Sequence, residues 1–225
     1  MIKNILAIIP ARGGSKGIIN KNIVDISGKP LISWTIEAAK NSKYISKLIL
    51  SSNDSNIIQI ALDYGCEAPF IRPEELSQDH SSSSDVVLHA IEQIPDFEYI
   101  MLLQPTSPLR TSKHIDESFE LMISSNADSC VSISSLSKSI NWMYYQEKNK
   151  HISPVIDVDH RETRRQNVKM PYALNGAIYI MRTKKFLEKK SFLSSNMVGY
   201  EMSSESSIDI DSYSDLDLFK RIVTS

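Results

Sequence analysis

The most constraining feature of this sequence is a repeated alternation between short apolar runs and longer segments with helical periodicity. The apolar runs are typical of strands buried on both faces and occupy residues 5–9, 47–50, 99–103, 129–133 and 176–181. Segments with helical periodicity follow most of them, at residues 30–40, 56–64, 86–93, 112–124 and 184–190. This rhythm predicts βαβ units, and therefore a three-layer α/β fold whose mainly parallel sheet has helices on both faces.

Local signals predict further elements and some of their ends. Ser84 with Asp85 is expected to cap the helix at residues 86–93, because short polar side chains bond the free N–H groups of a first helical turn. Residues 68–71 are expected to form a further short strand, and a last helix is expected from Ser214.

The alternation breaks down over residues 138–171, where the chain becomes polar and irregular. Trp142, Tyr144 and Tyr145 lie in this stretch, which is too polar to build a core of its own. Aromatic side chains of this kind are enriched at protein interfaces. We therefore expect one domain over residues 1–225 with an inserted dimerisation arm at residues 138–171, and a homodimer.

A basic, glycine-rich loop follows the first predicted strand. It reads IPARGGSKGIINKN at residues 9–22 and holds three of the chain's seven glycines. The loop matches neither the Walker A pattern nor the dinucleotide fingerprint, which argues against an ATPase and against a dehydrogenase. Backbone N–H groups, a serine hydroxyl and three cations suit a nucleoside triphosphate held from its phosphate side. The competing explanation is a solvated basic turn.

Two aspartates late in the chain, Asp209 and Asp211, flank a single apolar residue. In an extended segment, residues two apart point the same way, so both carboxylates can meet one hard cation while Ile210 faces the core. Mg²⁺, with Mn²⁺ as a substitute, takes one or two carboxylates and completes its shell with substrate phosphates. Helix capping is the competing explanation, but residues 214–217 already fit that role. A triphosphate loop and a metal pair together indicate nucleotidyl transfer.

Composition weakens several other function classes. The formal net charge of −2 argues against binding nucleic acid through its backbone. No apolar run reaches the roughly 7–15 residues of a secretory signal or the about 20 of a membrane span, so no membrane contact is expected. Cys66 and Cys130 show no pairing pattern and are expected to be buried thiols, which favours a cytoplasmic location.

Four stretches occur in a characteristic order: IPARGGSKGIINKN, LLQPTSPLR, NGAIYI and SIDIDSYSDL. Together they resemble the CMP-sialic acid synthetases, or acylneuraminate cytidylyltransferases, including the CMP-legionaminic acid synthetases. The resemblance covers nearly the whole chain and implies a nucleotide-binding sheet of the nucleotide-diphospho-sugar transferase type with a small dimerisation insertion. It also implies an enzyme that joins CTP to a nine-carbon 2-keto sugar acid, giving the CMP-sugar and pyrophosphate with the help of Mg²⁺.

The resemblance further implies a role for each residue that matches a motif. The CTP site would contain Arg12, Ser15, Lys16, Lys21 and Asn22, with Arg72 and Ser82 at the cytosine and the ribose. The sugar site would contain Gln104 and Asn175, with Arg165 at the sugar's carboxylate. Catalysis would rest on Arg12, Lys21 and Asp211, and the metal would bind Asp209 and Asp211.

Each sugar-site residue also has a simpler explanation when its position is taken alone. Asn175 could cap a strand end, and Gln104, which precedes a proline, could be a turn residue. Arg165 stands beside another arginine in a charged stretch and could be solvated. Carboxylate recognition does favour the planar fork of arginine over lysine.

Two rival functions stay open at this point. A metal-dependent glycosyltransferase would hold a nucleotide sugar through an Asp-x-Asp pair, although that pair usually follows a central strand in mid-chain. A non-catalytic nucleotide sensor would need the phosphate loop but not the metal pair. Pyrophosphate release separates the first rival, and turnover of CTP with a nonulosonic acid excludes the second. The sequence does not identify the sugar.

Overall fold

The computed structural model describes residues 4–15, 17–156 and 170–224. The strands are β1 (Ile5–Pro10), β2 (Asp25–Ile26), β3 (Lys29–Pro30), β4 (Ile45–Ser51), β5 (Tyr99–Leu102), β6 (Ser129–Ser135), β7 (Tyr144–Gln146), β8 (Ile152–Pro154), β9 (Tyr172–Arg182) and β10 (Met197–Glu201). The helices are α1 (Leu31–Lys40), α2 (Ser55–Asp63), α3 (Ser83–Gln93), α4 (Ser112–Ser124), α5 (Thr183–Lys189) and α6 (Tyr213–Thr224).

A six-stranded sheet forms the centre of the fold, in the order β10-β6-β9-β5-β1-β4. Strand β1 pairs in parallel with β4 and β5, and β10 pairs in parallel with β6. Strand β9 runs antiparallel to both of its neighbours, β5 and β6. The sheet is therefore mainly parallel, as predicted, with one antiparallel strand at its middle.

Helices cover both faces of this sheet, and β1 shows why. Its residues alternate between two apolar clusters, because successive side chains of a strand point to opposite faces. Ile5, Ala7 and Ile9 pack in the cluster that also takes side chains from α1, α2 and α4. Leu6 and Ile8 pack in the other cluster, with α3 and α5. The predicted three-layer arrangement is thereby confirmed.

A third, smaller apolar cluster attaches α6 to the loop that follows β1. Ile18 of that loop, Ile210 and Phe219 are all buried in it. Phe219 of α6 also meets the ring of Trp34 edge-on, with ring centroids 5.1 Å apart. This cluster brings the segment before α6, which carries the two aspartates, against the glycine-rich loop.

The predicted strand at residues 68–71 is wrong. This stretch is irregular. Next to it, the preceding residue Glu67 forms an isolated β-bridge with Ile49 of the sheet. Pro69 explains the difference, because proline has no N–H to give to a strand ladder. The cap predicted for α3 is also wrong, since Ser82 and not Ser84 occupies the N-cap and accepts a hydrogen bond from the Asp85 N–H.

The described part of the predicted arm forms a separate two-stranded sheet of β7 and β8. Tyr145 and Ile152 are 60% and 62% exposed on it. Residues 157–169 of the predicted arm lie outside the described residues, so its role in dimerisation stays a prediction. Strand β10 and the small β2–β3 hairpin were not expected from the sequence.

Both cysteines, Cys66 and Cys130, are buried and free, as predicted. Burial raises the pKa of each thiol to about 12. Across the described ranges, no helix combines the length and apolar character that a membrane crossing requires. The cytoplasmic location stays a prediction.

Candidate active site

A cleft of about 410 Å³ opens where β1 and β5 end. Ligands of open α/β sheets bind at this edge, beyond the carboxyl ends of the strands. The cleft brings together seven of the residues predicted for the nucleotide, sugar and metal sites, namely Arg12, Ser15, Lys21, Asn22, Arg72, Gln104 and Asp211. These residues come from three loops and the segment before α6, so the fold assembles them from distant parts of the chain.

Five of the predicted site residues are not found in the cleft wall. Lys16 and Arg165 lie outside the described residues. Ser82, Asn175 and Asp209 are described but do not line the cleft. The hydroxyl of Ser82 caps α3 and donates to the Asp85 carboxylate at 2.7 Å, while its neighbours Ser81 and Ser83 face the cleft. Its contact with a ribose stays a prediction.

Each of the three glycines of the loop is favoured at its position for a different structural reason. A Cβ on Gly13 would lie 2.8 Å from the Asp54 carboxylate, and one on Gly17 would lie 2.6 Å from the Asp211 carbonyl oxygen. Gly14 has open space around it but a φ of +69°, which residues other than glycine rarely adopt. Only Gly17 lines the main cleft, whereas Gly13 and Gly14 line a second cavity of about 380 Å³ beside it.

An ion pair between Arg12 and Asp79 stands between the two cavities. The Arg12 Nη2 atom donates to the Asp79 carboxylate at 2.6 Å, and both residues line both cavities. Asn22, which is buried, donates from Nδ2 to the Arg12 carbonyl oxygen at 3.1 Å. The backbone of Arg12 is thus held in place, while its guanidinium is turned toward an acidic partner at the cleft wall.

Arg72 is only 4% exposed, yet it borders the cleft. Within the described residues, its Nε and Nη2 atoms have no hydrogen-bond partner. Burial, and next the nearby charge of Arg12, lower the pKa of Arg72 to about 10, although Glu74 opposes this effect. Buried donors are rarely left unpaired, so this side chain is suited to a ligand rich in acceptor atoms.

The segment that carries the aspartate pair is held from two sides. Lys21 donates from Nζ to the Ile210 carbonyl oxygen at 2.8 Å and to the Asp211 carboxylate at 2.9 Å. On the other side, the Ile210 N–H donates to the Thr106 carbonyl oxygen at 2.8 Å. Ile210 itself is fully buried, as its position between Asp209 and Asp211 predicted. The segment is irregular and does not pair in the sheet.

The electrostatics of the pair fit a divalent cation. The pKa of Asp209 is raised, first because protein atoms displace water from its carboxylate and then because of the charge of Asp211. A hydrogen bond from Thr106 and the charge of Lys21 oppose this rise. Two mutually repelling carboxylates, with the Asp211 side chain 76% exposed, suit Mg²⁺ that takes its remaining ligands from water and phosphate. No group of three or more acidic, histidine or cysteine side chains that could hold a metal occurs among the described residues.

Gln104 and Asn175 occupy different environments. The Gln104 side chain faces the cleft and lies over Gly176, where an added Cβ would be 3.1 Å from its Oε1 atom. Asn175 is buried and bonded within the protein: Oδ1 accepts from the Ser132 hydroxyl at 2.5 Å, and Nδ2 donates to the Ser207 hydroxyl at 2.9 Å. In this arrangement Asn175 connects β9 to the segment that carries the aspartates.

Sequence reasoning missed three residues that shape the site: Thr106, Arg110 and Ser132. Thr106 and Arg110 lie within the motif LLQPTSPLR, which was the available signal for both. Ser132 lies in a strand of ordinary composition, and nothing in its local sequence indicates the bonds it makes.

The chain matches the family model described as "Cytidylyltransferase" over residues 6–216. It is 37% identical over 218 residues to an N-acylneuraminate cytidylyltransferase of Escherichia coli, covering 97% of this chain and 52% of that protein. It is 35% identical over 219 residues to a pseudaminic acid cytidylyltransferase of Campylobacter jejuni, covering 96% and 94%. It is 34% identical over 225 residues to a CMP-N,N'-diacetyllegionaminic acid synthase of Legionella pneumophila, covering 97% and 96%.

The chain therefore spans about half the length of the E. coli relative and nearly all of the other two. Among solved structures it resembles CMP:2-keto-3-deoxy-manno-octonic acid synthetase complexed with CTP, with a TM-score of 0.75 and 16% identity over 99% of both chains. It also resembles a 4-diphosphocytidyl-2C-methyl-D-erythritol synthase of Anaerococcus prevotii, with a TM-score of 0.69 and 14% identity over 99% of both chains. At these identities the two structures support the fold alone.

Proposed function

This chain belongs to the cytidylyltransferase family, and on that premise we propose that it joins CTP to a nine-carbon 2-keto sugar acid and releases pyrophosphate. The observation that carries the proposal is the single cleft in which cations of the glycine-rich loop face an aspartate of the acidic pair. The names of three relatives at 34–37% identity, for N-acylneuraminate, pseudaminic acid and legionaminic acid, support the substrate class. Their similar identities leave the choice of sugar open.

In the proposed reaction, the anomeric hydroxyl of the sugar acid attacks the α-phosphorus of CTP. A new oxygen–phosphorus bond forms as the bond between the α-phosphorus and the bridging oxygen breaks, and pyrophosphate leaves. The hydroxyl proton passes to a base or to water. Negative charge grows on the phosphate oxygens during this step, so fixed positive groups that face those oxygens lower the barrier.

Arg12, Ser15 and Lys21 are proposed to bind the triphosphate, with Lys16 of the same loop beside them. Arg12 and Lys21 would also stabilise the charge that develops in the transition state. Both cations have carboxylate partners at 2.6 Å and 2.9 Å, so phosphate oxygens would compete for them with Asp79 and Asp211. Asn22 supports this arrangement indirectly, through its bond to the Arg12 carbonyl oxygen.

We propose that Asp209 and Asp211 hold Mg²⁺, for which Mn²⁺ can substitute. When bound, the ion would neutralise charge on phosphate oxygens and orient the triphosphate. The contribution of this chain's own residues is to keep the two carboxylates close. Lys21 and Thr106 do so through their hydrogen bonds to the Ile210 backbone.

The remaining substrate contacts are assigned by position and chemistry. Arg72 is proposed to meet the acceptor edge of cytosine with its two unpaired donors. Gln104, which also lines the cleft, is proposed to contact the sugar. We also propose Ser82 at the ribose, Asn175 at the sugar and Arg165 at the sugar's carboxylate.

We further propose that the protein is a homodimer that uses the β7–β8 sheet. The support is the exposure of Tyr145 and Ile152 on a small sheet that the central sheet does not cover. Small two-stranded sheets are marginal without a packing partner, and a second copy of the chain would supply one.

A pyrophosphate-release assay tests the proposed reaction. The enzyme is incubated with Mg²⁺, CTP and, separately, N-acetylneuraminate, diacetyllegionaminate or pseudaminate. We expect release with CTP and at least one sugar acid, and background release without sugar or with UTP in place of CTP. Absence of release with every acid would contradict the proposal. Transfer of sugar from a nucleotide sugar, without pyrophosphate, would instead favour a glycosyltransferase.

A further inference from the structure

Arg110 is a buried cation that no acidic group compensates within the described residues. The residue is 1% exposed, and burial lowers its pKa to about 9. Its Nη1 atom donates to two carbonyl oxygens, that of Gln104 at 3.1 Å and that of Ala177 at 2.8 Å. Burying an unpaired charge is costly, and an apolar side chain would fill the same space at less cost. What the buried arginine provides in return is a fixed position for those two carbonyl groups.

The Ala177 carbonyl belongs to an irregular part of β9. Opposite β6, the register jumps from the pair Val131 and Tyr179 to the pair Ile133 and Leu174, so several residues of β9 face one residue of β6. That one residue is Ser132, whose hydroxyl bonds Asn175 and also accepts from the Ile178 N–H at 2.8 Å. Bulges of this kind leave backbone groups without ladder partners, and Arg110 and Ser132 supply partners for the Ala177 carbonyl and the Ile178 N–H.

Through these bonds, Arg110 and Ser132 are connected to two parts of the candidate site, the Gln104 loop and the segment with the aspartates. Arg110 holds the Gln104 carbonyl, while the bulge presents Gly176 beneath the Gln104 side chain. Asn175 in the bulge donates to Ser207, at the start of the segment with the aspartates. The loop after Gln104 bonds that segment as well, through Thr106 and the Ile210 N–H.

We propose that Arg110 is a positioning residue that fixes the Gln104 loop against the β9 bulge, and thereby sets the place of Gln104 and of the aspartate segment. The proposal rests on the proposed function for its kinetic consequence but not for its structural one. Arg110 does not touch substrate in this account. It acts through the two carbonyl groups and the loop between Gln104 and itself.

The first test does not require turnover. Arg110→Met keeps a similar length of side chain but removes the donors, and Phe186→Leu serves as a control that loosens the core on the α3 and α5 side of the sheet. Amide hydrogen exchange is measured on both variants and on the unchanged protein. We expect faster exchange at residues 104–110, 175–178 and 207–211 in Arg110→Met only. Unchanged exchange in these segments would overturn the proposal.

The second test is a double-mutant cycle with Gln104→Ala, read by steady-state kinetics well below the melting temperature of each variant. Misplacement of a contact by a fraction of an ångström to one ångström can cost about 10²-fold in rate. We expect Arg110→Met to lower kcat/KM for the sugar acid by roughly 10- to 100-fold, and by a clearly smaller factor when Gln104 is already alanine, because only the part transmitted through the aspartate segment then remains. Calorimetric binding of metal-free CTP should change less than about twofold.

Equal losses in both backgrounds, or a lower melting temperature with unchanged kinetics, would overturn the positioning role. If Arg110→Met does not fold, Ser132→Ala tests the same bulge from β6, with the same expected exchange at residues 175–178 and the same kinetic pattern. Normal exchange and kinetics in that variant would also overturn the proposal. If the unchanged protein turns over no sugar acid, the proposed function fails, while hydrogen exchange still decides whether Arg110 fixes the loop.

Discussion

The 2.9 Å ion pair between Lys21 and Asp211 joins a side chain that is 15% exposed to one that is 76% exposed. Under the proposed assignments, this pair would exchange partners when phosphate and metal bind, with Asp211 turning to the metal and Lys21 to the phosphate. The ion pair therefore keeps both groups at the cleft before substrate binds, without tying up either in a buried bond.

Replacing either aspartate should remove activity and leave the fold intact. We expect Asp211→Ala and Asp209→Ala each to lower kcat by about 10²-fold or more, because a strong electrostatic stabiliser is lost. Asp217→Ala, on the exposed face of α6, is the control and should have little effect. EDTA should abolish the activity of the unchanged protein, and Mg²⁺ or Mn²⁺ should restore it. Full activity in excess chelator would contradict the metal assignment.

Arg72 offers a test of base selection. We expect Arg72→Met to raise KM for CTP by about tenfold or more and to narrow the preference for CTP over UTP, because the two donors proposed to bind the base are lost. Stability should change little or rise, since the substitution removes a buried, unpaired charge. Lys113→Met, which removes an exposed cation on α4, is the matched control. An unchanged preference for CTP would assign base selection to other residues.

Gly14 and Gly28 form a matched pair, because each has a positive φ and no atom within 4 Å of an added Cβ. Alanine at either position should destabilise the fold by about 1 kcal/mol through the left-handed backbone alone. Only Gly14→Ala should also weaken CTP binding, because Gly14 belongs to the loop proposed to bind the triphosphate, whereas Gly28 lies in the β2–β3 turn. Thermal unfolding and calorimetry check the two effects. Equal CTP affinity in both variants would make Gly14 a turn residue only.

At the scale of elements, the β7–β8 sheet carries the clearest prediction. Ile152→Arg replaces an apolar residue that is 62% exposed with a charged one. Because a charge in the proposed interface would oppose dimerisation, we expect a shift from dimer to monomer in sedimentation. Leu62→Arg is the control, because Leu62 is 47% exposed on α2, far along the chain from this sheet. A protein that is already a monomer at micromolar concentration would contradict the proposed interface.

Strands that are buried on both faces were predictable because their residues are continuously apolar. Strand β10 was not, since its residues alternate between exposed and half-buried positions at an edge of the sheet and include a glycine. The antiparallel direction of β9 was not predictable either, because a buried strand has the same composition in both directions. The cap of α3 was misplaced because four serines occur in succession at residues 81–84, and only backbone geometry selects Ser82.

At the scale of the whole molecule, the site was predictable to the extent that its chemistry is local. The spacing of Asp209 and Asp211 predicts a metal pair, and the glycine-rich loop predicts a phosphate site. Both roles stay predictions, while the structure places Asp211 and residues of the loop at one cleft. The supporting residues were not predictable, because Arg110 and Ser132 act through bonds of the loop after β5 and of β6 to β9, which only the folded chain brings together. A fully buried arginine also runs against the general tendency of this residue toward the surface.

The two buried thiols predict how the stability of the whole chain depends on alkaline pH. Their pKa is about 12 in the folded protein and near the ordinary value of 9.0 when unfolded. Between these values the unfolded state releases protons that the folded state keeps, so the free energy of unfolding should fall as the pH rises above 9. Urea unfolding from pH 8 to 10 measures this slope. The variant with Cys66→Ala and Cys130→Ala should show a shallower slope, and an unchanged slope would contradict the assignment.

Strand β9 lies between β5 and β6, which precede it in the chain by tens of residues. During vectorial synthesis on a ribosome, β1, β4 and β5 can pair as soon as they emerge, but β6 has no place in the sheet until β9 arrives. Until then, the growing chain presents β5 and β6 as open strand edges, which are templates for association with other chains. The connection between β5 and β6 therefore waits for residue 182, the end of β9. We expect nascent chains that stall before residue 172 to need chaperone protection, which crosslinking of stalled ribosome complexes would measure.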